Sequence, residues 1–265
     1  MRYARVRVQG VPLHGRVEGD TIALLAGSPI ENPAPTVIGS IPTAHAIWLP
    51  PVVPHVFYAV GLNYPRHIAH AAAETPKRPE AGYRANNALT GHGSPIVRPH
   101  DVTGRFEAEP ELVAVIGRTL RHASYDEARA GVFGWTVGND VSARAWQHED
   151  RTLWRAKNSD TFKPMGPWIE TAADPLAPTT TTTLRVNGEV RAEFPTGDMV
   201  FDPYDYLVEM SRYLTLHPGD VLWMGAESVC GLAPGDTVDV GITGIGVLSN
   251  PVIQAEPVSQ EGPLP

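Results

Sequence analysis

The sequence predicts an α+β fold in which strands dominate. Three observations predict it. With 26 Pro and 25 Gly in 265 residues, the chain is cut into short elements. Most apolar stretches alternate with polar residues or run for about four to eight residues, the length of a strand. Few windows keep apolar residues at helical spacing.

Residues 2–25 alternate apolar with polar or small residues (YARVRVQG, then HGRVEGDTIALL) and read as short antiparallel strands joined by glycine turns. Residues 28–54 are rich in Pro, Ser, Thr and Ala, with one short helix expected near 43–48, and read as a connector. Residues 1–51 are thus a small N-terminal β domain with its connector, 52–254 the main domain, and 255–265 a loose tail. In the main domain FYAVGLNY (57–64) reads as a strand and HIAHAAAE (67–74), with Ala at nearly every gap, as a helix. ELVAVIGR (111–118) suits a strand buried on both faces, and GVFGWTVGNDVSAR (131–144) repeats that pattern up to Gly138-Asn139-Asp140. The threonine run at 179–183 continues into LRVNGEVRAEF, where Asn187-Gly188 signals a hairpin turn. Residues 202–216 space Tyr206, Leu207, Met210, Tyr213 and Leu214 as a helix stopped by His217-Pro218-Gly219-Asp220. Strands follow to the tail, and no internal repeat is present.

Composition excludes several function classes. A formal charge of −8, with no run of Lys or Arg, argues against nucleic acid. No stretch approaches the ~20 apolar residues of a membrane helix, and the start MRYARVRVQG lacks a signal-peptide core. The single cysteine, Cys230, allows neither an intramolecular disulfide nor a cysteine-based zinc cage, so the expected location is the cytoplasm.

Glu109-Pro110-Glu111 puts two carboxylates on one face of an extended segment, roughly 7 Å apart by backbone rise. An isolated Glu-x-Glu is more commonly a solvated edge. Here the apolar LVAVIG follows directly, and an unpaired carboxylate against a buried strand is costly. Asp140 stands in the same relation to VFGWTVGN. Three carboxylates supply the hard oxygen ligands favoured by Mg2+, Mn2+ or Ca2+; zinc is disfavoured without His at ligand spacing.

Several segments then show a specific resemblance. Glu109-Pro110-Glu111-Leu112 through Gly117, Gly134-Trp135-Thr136 with 139–144, Gln147, and Lys157-Asn158-Ser159-Asp160-Thr161 with 164–167 closely resemble the fumarylacetoacetate hydrolase superfamily. Gly61-Leu62-Asn63-Tyr64 with His67, Asp198-Met199-Val200-Phe201, 216–220 and 244–252 follow in the family's order, so the resemblance covers about 56–252. It implies a mixed β-sandwich roll behind a small N-terminal β domain, usually a homodimer. It implies that Glu109, Glu111 and Asp140 hold Mg2+ or Mn2+, and that Lys157 is the active-site lysine. It also implies a small 2-oxo acid substrate, of a kind met in the catabolism of aromatic compounds. Such a substrate chelates the cation, which polarises its carbonyl and stabilises the enolate. Tyr64, Arg84, Arg144, Gln147, Thr161 and Ala226 fall at expected substrate-facing positions. Arg144 and Gln147 lie one turn apart if 142–149 is helical, although Arg144 equally suits an ion pair.

The chain departs from the family at three places. Many members carry His-x-x-Glu after Asn-Tyr, whereas here His67 is followed at i+3 by His70. Glu74 is the nearest replacement, one turn farther along if the helix continues. Arg84 stands where many members have Lys, offering a fork suited to a second substrate carboxylate. The usual Thr-Gly-Thr-Pro reads Met224-Gly225-Ala226-Glu227, and Glu227 is expected to repel an anionic tail. The leading expectation is a C–C hydrolase of acylpyruvates with His67 as the water-activating base and Glu74 as its partner. Decarboxylation or isomerisation of a 2-oxo acid comes second, and a non-catalytic metabolite binder third.

Overall fold

The computed structural model describes residues 1–257, so most of the tail expected at 255–265 lies outside the described residues. The first strands are β1 (Arg2–Val8), β2 (Val11–Glu18), β3 (Thr21–Leu25), β4 (Val37–Pro42) and β5 (Ile47–Leu49). β4 and β5 correct the expected connector: the chain between them makes only one 3-10 turn, Thr43–His45, in place of a helix at 43–48. Both strands pair with the hairpins before them, β4 with β3 and β5 with β1, which overrides the weak local signal.

Next come β6 (Phe57–Val60), α1 (Pro65–His70), β7 (Ala81–Tyr83), β8 (Leu89–Thr90), β9 (Ile96–Arg98) and β10 (Phe106–Ala108). α1 is shorter than the helix expected over 67–74. It ends in a Schellman stop, with Ala72 left-handed at φ 50°, Ala73 N–H bonded to Ile68 O at 3.1 Å and Ala72 N–H to Ala69 O at 3.2 Å. Alanine propensity does not prevent that stop.

β11 (Pro110–Ile116), α2 (Tyr125–Gly131), β12 (Val132–Asn139), β13 (Ser142–Ala143), α3 (Arg144–Gln147), α4 (Trp154–Asn158) and β14 (Lys163–Glu170) follow. Of the helix considered over 142–149, only the turn α3 forms. After β15 (Thr181–Val186) and β16 (Glu189–Pro195), joined through Asn187 (φ 54°) and Gly188 (φ 81°) as the hairpin signal requires, comes α5 (Pro203–Ser211). Asp202 caps α5 by accepting from Tyr204 and Asp205 N–H. The helix stops five residues before the expected end, because Arg121 Nη1 takes the carbonyls of Ser211 (2.8 Å) and Arg212 (2.7 Å). β17 (Val221–Trp223), β18 (Cys230–Gly231), β19 (Thr237–Ile242) and β20 (Gly246–Gln254) complete the chain.

The architecture is mostly β, a mixed roll of packed sheets. One large sheet runs β4-β3-β2-β1-β14-β12-β11-β17-β6-β7, with β5 on β1 and β8 on β14. A second runs β16-β15-β19-β20-β9, and a small one β13-β10-β18. β11 is buried on both faces: Leu112 and Ala114 join the core shared with Leu184, Val240 and Leu248, while Val113 and Val115 pack with Phe57, Met165 and Trp223. Among the described residues no helix is long and apolar enough to cross a membrane.

Candidate active site

β11 and β12 run antiparallel with Pro110 opposite Asn139, which brings the start of one strand to the end of the other. Glu109, Glu111 and Asp140 meet there, with a carboxylate oxygen from each lying within 4.8 Å of the others. All three are buried. Such a cluster is tolerable only with compensating charge. Arg84 Nη2 lies 2.9 Å from Asp140 Oδ2. Arg144 Nη2 lies 2.9 Å from Glu109 Oε1, and Lys157 Nζ bridges Glu109 Oε1 (2.5 Å) and Asp140 Oδ2 (3.1 Å). Lys163 Nζ lies 2.5 Å from Asp140 Oδ1.

Electrostatics divides the three acids. Burial alone would raise Asp140, but Arg84, Lys157 and Lys163 together hold it well below the usual carboxylate range. Glu109 is opposed by burial yet lowered by Lys157 and Arg144. Glu111 is pushed well above the usual range by burial and by the charges of Asp140 and Glu109. Among the described residues its backbone donor is Gly225, whose N–H reaches Oε2 at 2.9 Å from a left-handed backbone at φ 78°. A dication between these oxygens would remove that mutual repulsion, so the residues present fit a divalent cation.

The expected residues divide into those at the cluster and those that brace the fold. Lys157, 5% exposed on α4, stands in the cluster. Asp150 accepts the N–H groups of Arg155 and Ala156 (2.9 Å each) and so holds the start of that helix. Arg144 takes its ion-pair role, with Glu107 (2.6 Å) as a second partner, and donates to Gln147 Oε1 at 2.8 Å. Arg84 differs from expectation: its fork faces Asp140 and its Nη1 donates to Tyr83 O at 3.1 Å, so no free fork awaits a substrate carboxylate. Tyr64 also differs, since it is buried and its hydroxyl donates to Thr196 O at 2.8 Å. Thr161 is a brace whose Oγ1 accepts from Val97 N–H at 2.8 Å. Ala226 is buried beside Gly225.

His67 opens onto a cavity of about 250 Å³ with Arg66, His70, Glu227, Ser228 and Val229. Burial lowers its imidazole below the ordinary value; Glu109 opposes the shift, while Arg144, Lys157 and His70 add to it, so of the three acids Glu109 is the one whose charge reaches the ring. Glu74 is exposed beyond the end of α1, so no helical turn carries it to the histidines. Glu227 corrects another expectation: Arg66 Nη1 lies 2.8 Å from its Oε1, and that ion pair offsets the repulsion expected for an anionic tail. The contact misses hydrogen-bond alignment, since Glu227 Oε1 is buried without a hydrogen bond. A groove of about 330 Å³ on the five-stranded sheet, lined by Arg2, Thr183, Arg185 and 241–247, offers no carboxylate, histidine or cysteine.

Sequence reading missed Lys163, although a lysine inside FKPMGP raises the same cost of a buried charge that singled out Glu111 and Asp140. It also missed the work of Asn63. That side chain donates to Phe201 O (3.1 Å) and Met224 O (3.2 Å) and accepts from Phe201 N–H (3.1 Å), tying the start of α1 to the strand end that carries Gly225.

Comparison with known proteins agrees with this geometry. Residues 56–253 match the family model described as fumarylacetoacetate (FAA) hydrolase C-terminal, and residues 1–51 one described as Rv2993c-like, N-terminal. The chain is 37% identical over 242 residues to Protein Rv2993c of Mycobacterium tuberculosis, covering 89% of this chain and 91% of that protein. A structure of 5-carboxymethyl-2-hydroxymuconate delta-isomerase from Mycobacterium smegmatis is similar at TM-score 0.86 and 35% identity, over 96% of this chain and 100% of that one. A maleylpyruvate hydrolase from Sphingobium sp. SYK-6, solved in complex with manganese (II) ion and pyruvate, is similar at TM-score 0.79 and 27% identity, over 97% and 100%. Enzymes of several reaction types thus share this fold, and the chain belongs to the fumarylacetoacetate hydrolase family.

Proposed function

We propose that the protein is a divalent-cation-dependent enzyme that moves a proton on a small 2-oxo acid, as a keto–enol tautomerase or double-bond isomerase, with decarboxylation on the same path. The observation that carries this reading is the buried convergence of Glu109, Glu111 and Asp140 beside Lys157, with the charge of Glu109 reaching His67. Those three carboxylates would hold Mg2+ or Mn2+, which when bound supplies an electrophile for the carboxylate and 2-oxo oxygens of the substrate. Lys157 presents its ammonium toward the oxygen that gains charge. His67, whose imidazole burial biases toward the neutral form, takes the proton from the carbon beside the carbonyl and returns it at the new position. In tautomerisation or double-bond isomerisation no water is consumed and the proton count closes on the imidazole, whereas decarboxylation releases CO2 and draws the replacing proton from solvent.

Hydrolysis of an acylpyruvate C–C bond is the second reading. The similarity to a maleylpyruvate hydrolase favours it. It asks His67 to orient a water, and no carboxylate hydrogen bond contributes to the state of that ring. The truncated α1, which leaves Glu74 outside, therefore tips the balance toward proton transfer.

The test is to incubate the protein and Mn2+ in D2O with oxaloacetate, a 2-hydroxydienedioate and an acylpyruvate, and to follow products by NMR. Chelator-sensitive deuterium exchange next to the 2-oxo group, with no cleavage of the acylpyruvate, is expected. Cleavage into two acids would establish hydrolysis instead, and no change in any substrate would leave a metabolite-binding protein.

A further inference from the structure

Each carboxylate of the cluster has an oxygen already engaged by the protein. Glu109 Oε1 accepts from Ser142 Oγ (2.5 Å), Arg144 Nη2 (2.9 Å) and Lys157 Nζ (2.5 Å). Glu111 Oε2 accepts from Gly225 N–H at 2.9 Å. Asp140 Oδ1 faces Lys163 Nζ at 2.5 Å, with Arg84 Nε farther off at 3.5 Å. Lys163 is 0% exposed and also donates to Val141 O and Phe162 O, each at 3.0 Å. Two of its three anchors are therefore backbone carbonyls flanking β12 and β14, which do not swing away as side chains do. Asp140 Oδ2 is contacted by Arg84 and Lys157, the latter through a flexible stem able to yield to a cation.

We propose that Lys163 is a positioning residue that restricts Asp140 to binding a cation through one oxygen, Oδ2, so that the Glu109–Glu111–Asp140 set accepts Mg2+ or Mn2+ and discriminates against Ca2+. The proposal rests on the metal-dependent reading above and adds the choice of ion. Ca2+ gathers about six to eight oxygens and readily takes carboxylates through both oxygens. Mg2+ demands near-ideal octahedral geometry, keeps several waters and needs only a few carboxylate oxygens. Glu109 Oε2 and Glu111 Oε1 carry no hydrogen bond among the described residues, and Asp140 Oδ2 joins them when Lys157 and the Arg84 Nη2 contact give way to the cation, so the protein offers one oxygen from each acid. That number suits the smaller ion with substrate or water alongside, and undersupplies the larger. Arg144 and Lys157 border the cleft and Gly225 contributes only backbone, so Lys163 is the lock with no contact on the substrate side.

The test compares the wild-type protein with Lys163→Met. Mn2+ binding is titrated by calorimetry, and Ca2+ is then competed against it. Removing a nearby positive charge strengthens both ions alike, so the ratio of the two dissociation constants, not either value, reads the number of oxygens Asp140 provides. The preference for Mn2+ over Ca2+ should fall by about tenfold or more in Lys163→Met. An unchanged ratio overturns the proposal while leaving the metal reading intact, and wild-type protein that binds no Mn2+ overturns both. Should Lys163→Met fail to fold, crystals of the wild type soaked with Ca2+ decide: Asp140 chelating through both oxygens overturns the proposal, and binding through Oδ2 alone supports it.

Discussion

Lys157→Met keeps the length of the side chain and removes its charge, with two opposed consequences. The first falls on the reaction. Lys157 is 5% exposed, and its Nζ lies 2.5 Å from Glu109 Oε1 and 3.1 Å from Asp140 Oδ2, inside the cluster that would bind the substrate head. Losing one charged donor to an oxygen that becomes anionic costs about 3–4 kcal/mol in a water-excluded site, or roughly 10²–10³ in turnover. The second falls on the carboxylates. A unit charge about 4 Å away is worth about 4 kcal/mol at an effective dielectric near 20, and relaxation of the neighbours reduces the net to about 1–2 kcal/mol. A dication therefore binds the variant roughly tenfold more tightly while turnover collapses. Steady-state kinetics at saturating Mn2+, paired with a Mn2+ titration of each protein, measures both. Turnover within about threefold of wild type would remove Lys157 from the reaction, and weaker Mn2+ binding would show that it only braces the carboxylates.

Further outcomes follow from the neighbouring residues. His67→Ala should lower proton exchange by about 10² or more, as loss of a general base does, while Glu74→Gln should leave it unchanged, since α1 ends at His70; a large loss in Glu74→Gln refutes that placement. The acid limb of kcat/KM should fall below pH 6.5, because burial lowers His67 and keeps the base unprotonated there; a limb at or above pH 6.5 contradicts the assignment. The same shift affects stability: a depressed folded-state pKa adds stability that is fully present above the unfolded value near 6.5 and is lost as pH falls through the folded value. Ala72→Gly should relieve the left-handed backbone at φ 50° and raise Tm by about 2 °C in a thermal melt, where a drop would refute the strain.

The site was legible wherever a charge interrupts an apolar run. Glu111 and Asp140 stand out against LVAVIG and VFGWTVGN, and the hairpin at Asn187-Gly188 follows from the need for positive φ. Lengths of helices were not legible, because partners distant in sequence decide them. Arg121 removes the carbonyls that would extend α5, and β3 and β1 recruit β4 and β5 from a stretch that looks like a connector. Nor does a residue's type reveal which way it faces. Arg84 and Tyr64 have chemistry suited to a substrate, yet one is engaged by Asp140 and the other by Thr196 O.

The ring of cations about the carboxylates changes what loading the site asks of the chain. Glu107, Glu109 and Asp140 pair with Arg84, Arg105, Arg144, Lys157 and Lys163, while Glu111, pushed well above the usual range, has no ion-pair partner among the described residues. In a small zinc domain the ligands repel one another until the ion arrives, and folding waits for it. Here Glu109 and Asp140 are already paired with side chains rooted at the end of β7 and in α3, α4 and β14. At Glu109 and Asp140 a cation entering the site would therefore exchange with partners the chain itself supplies, whereas at Glu111 it would meet a carboxyl that no cation yet holds.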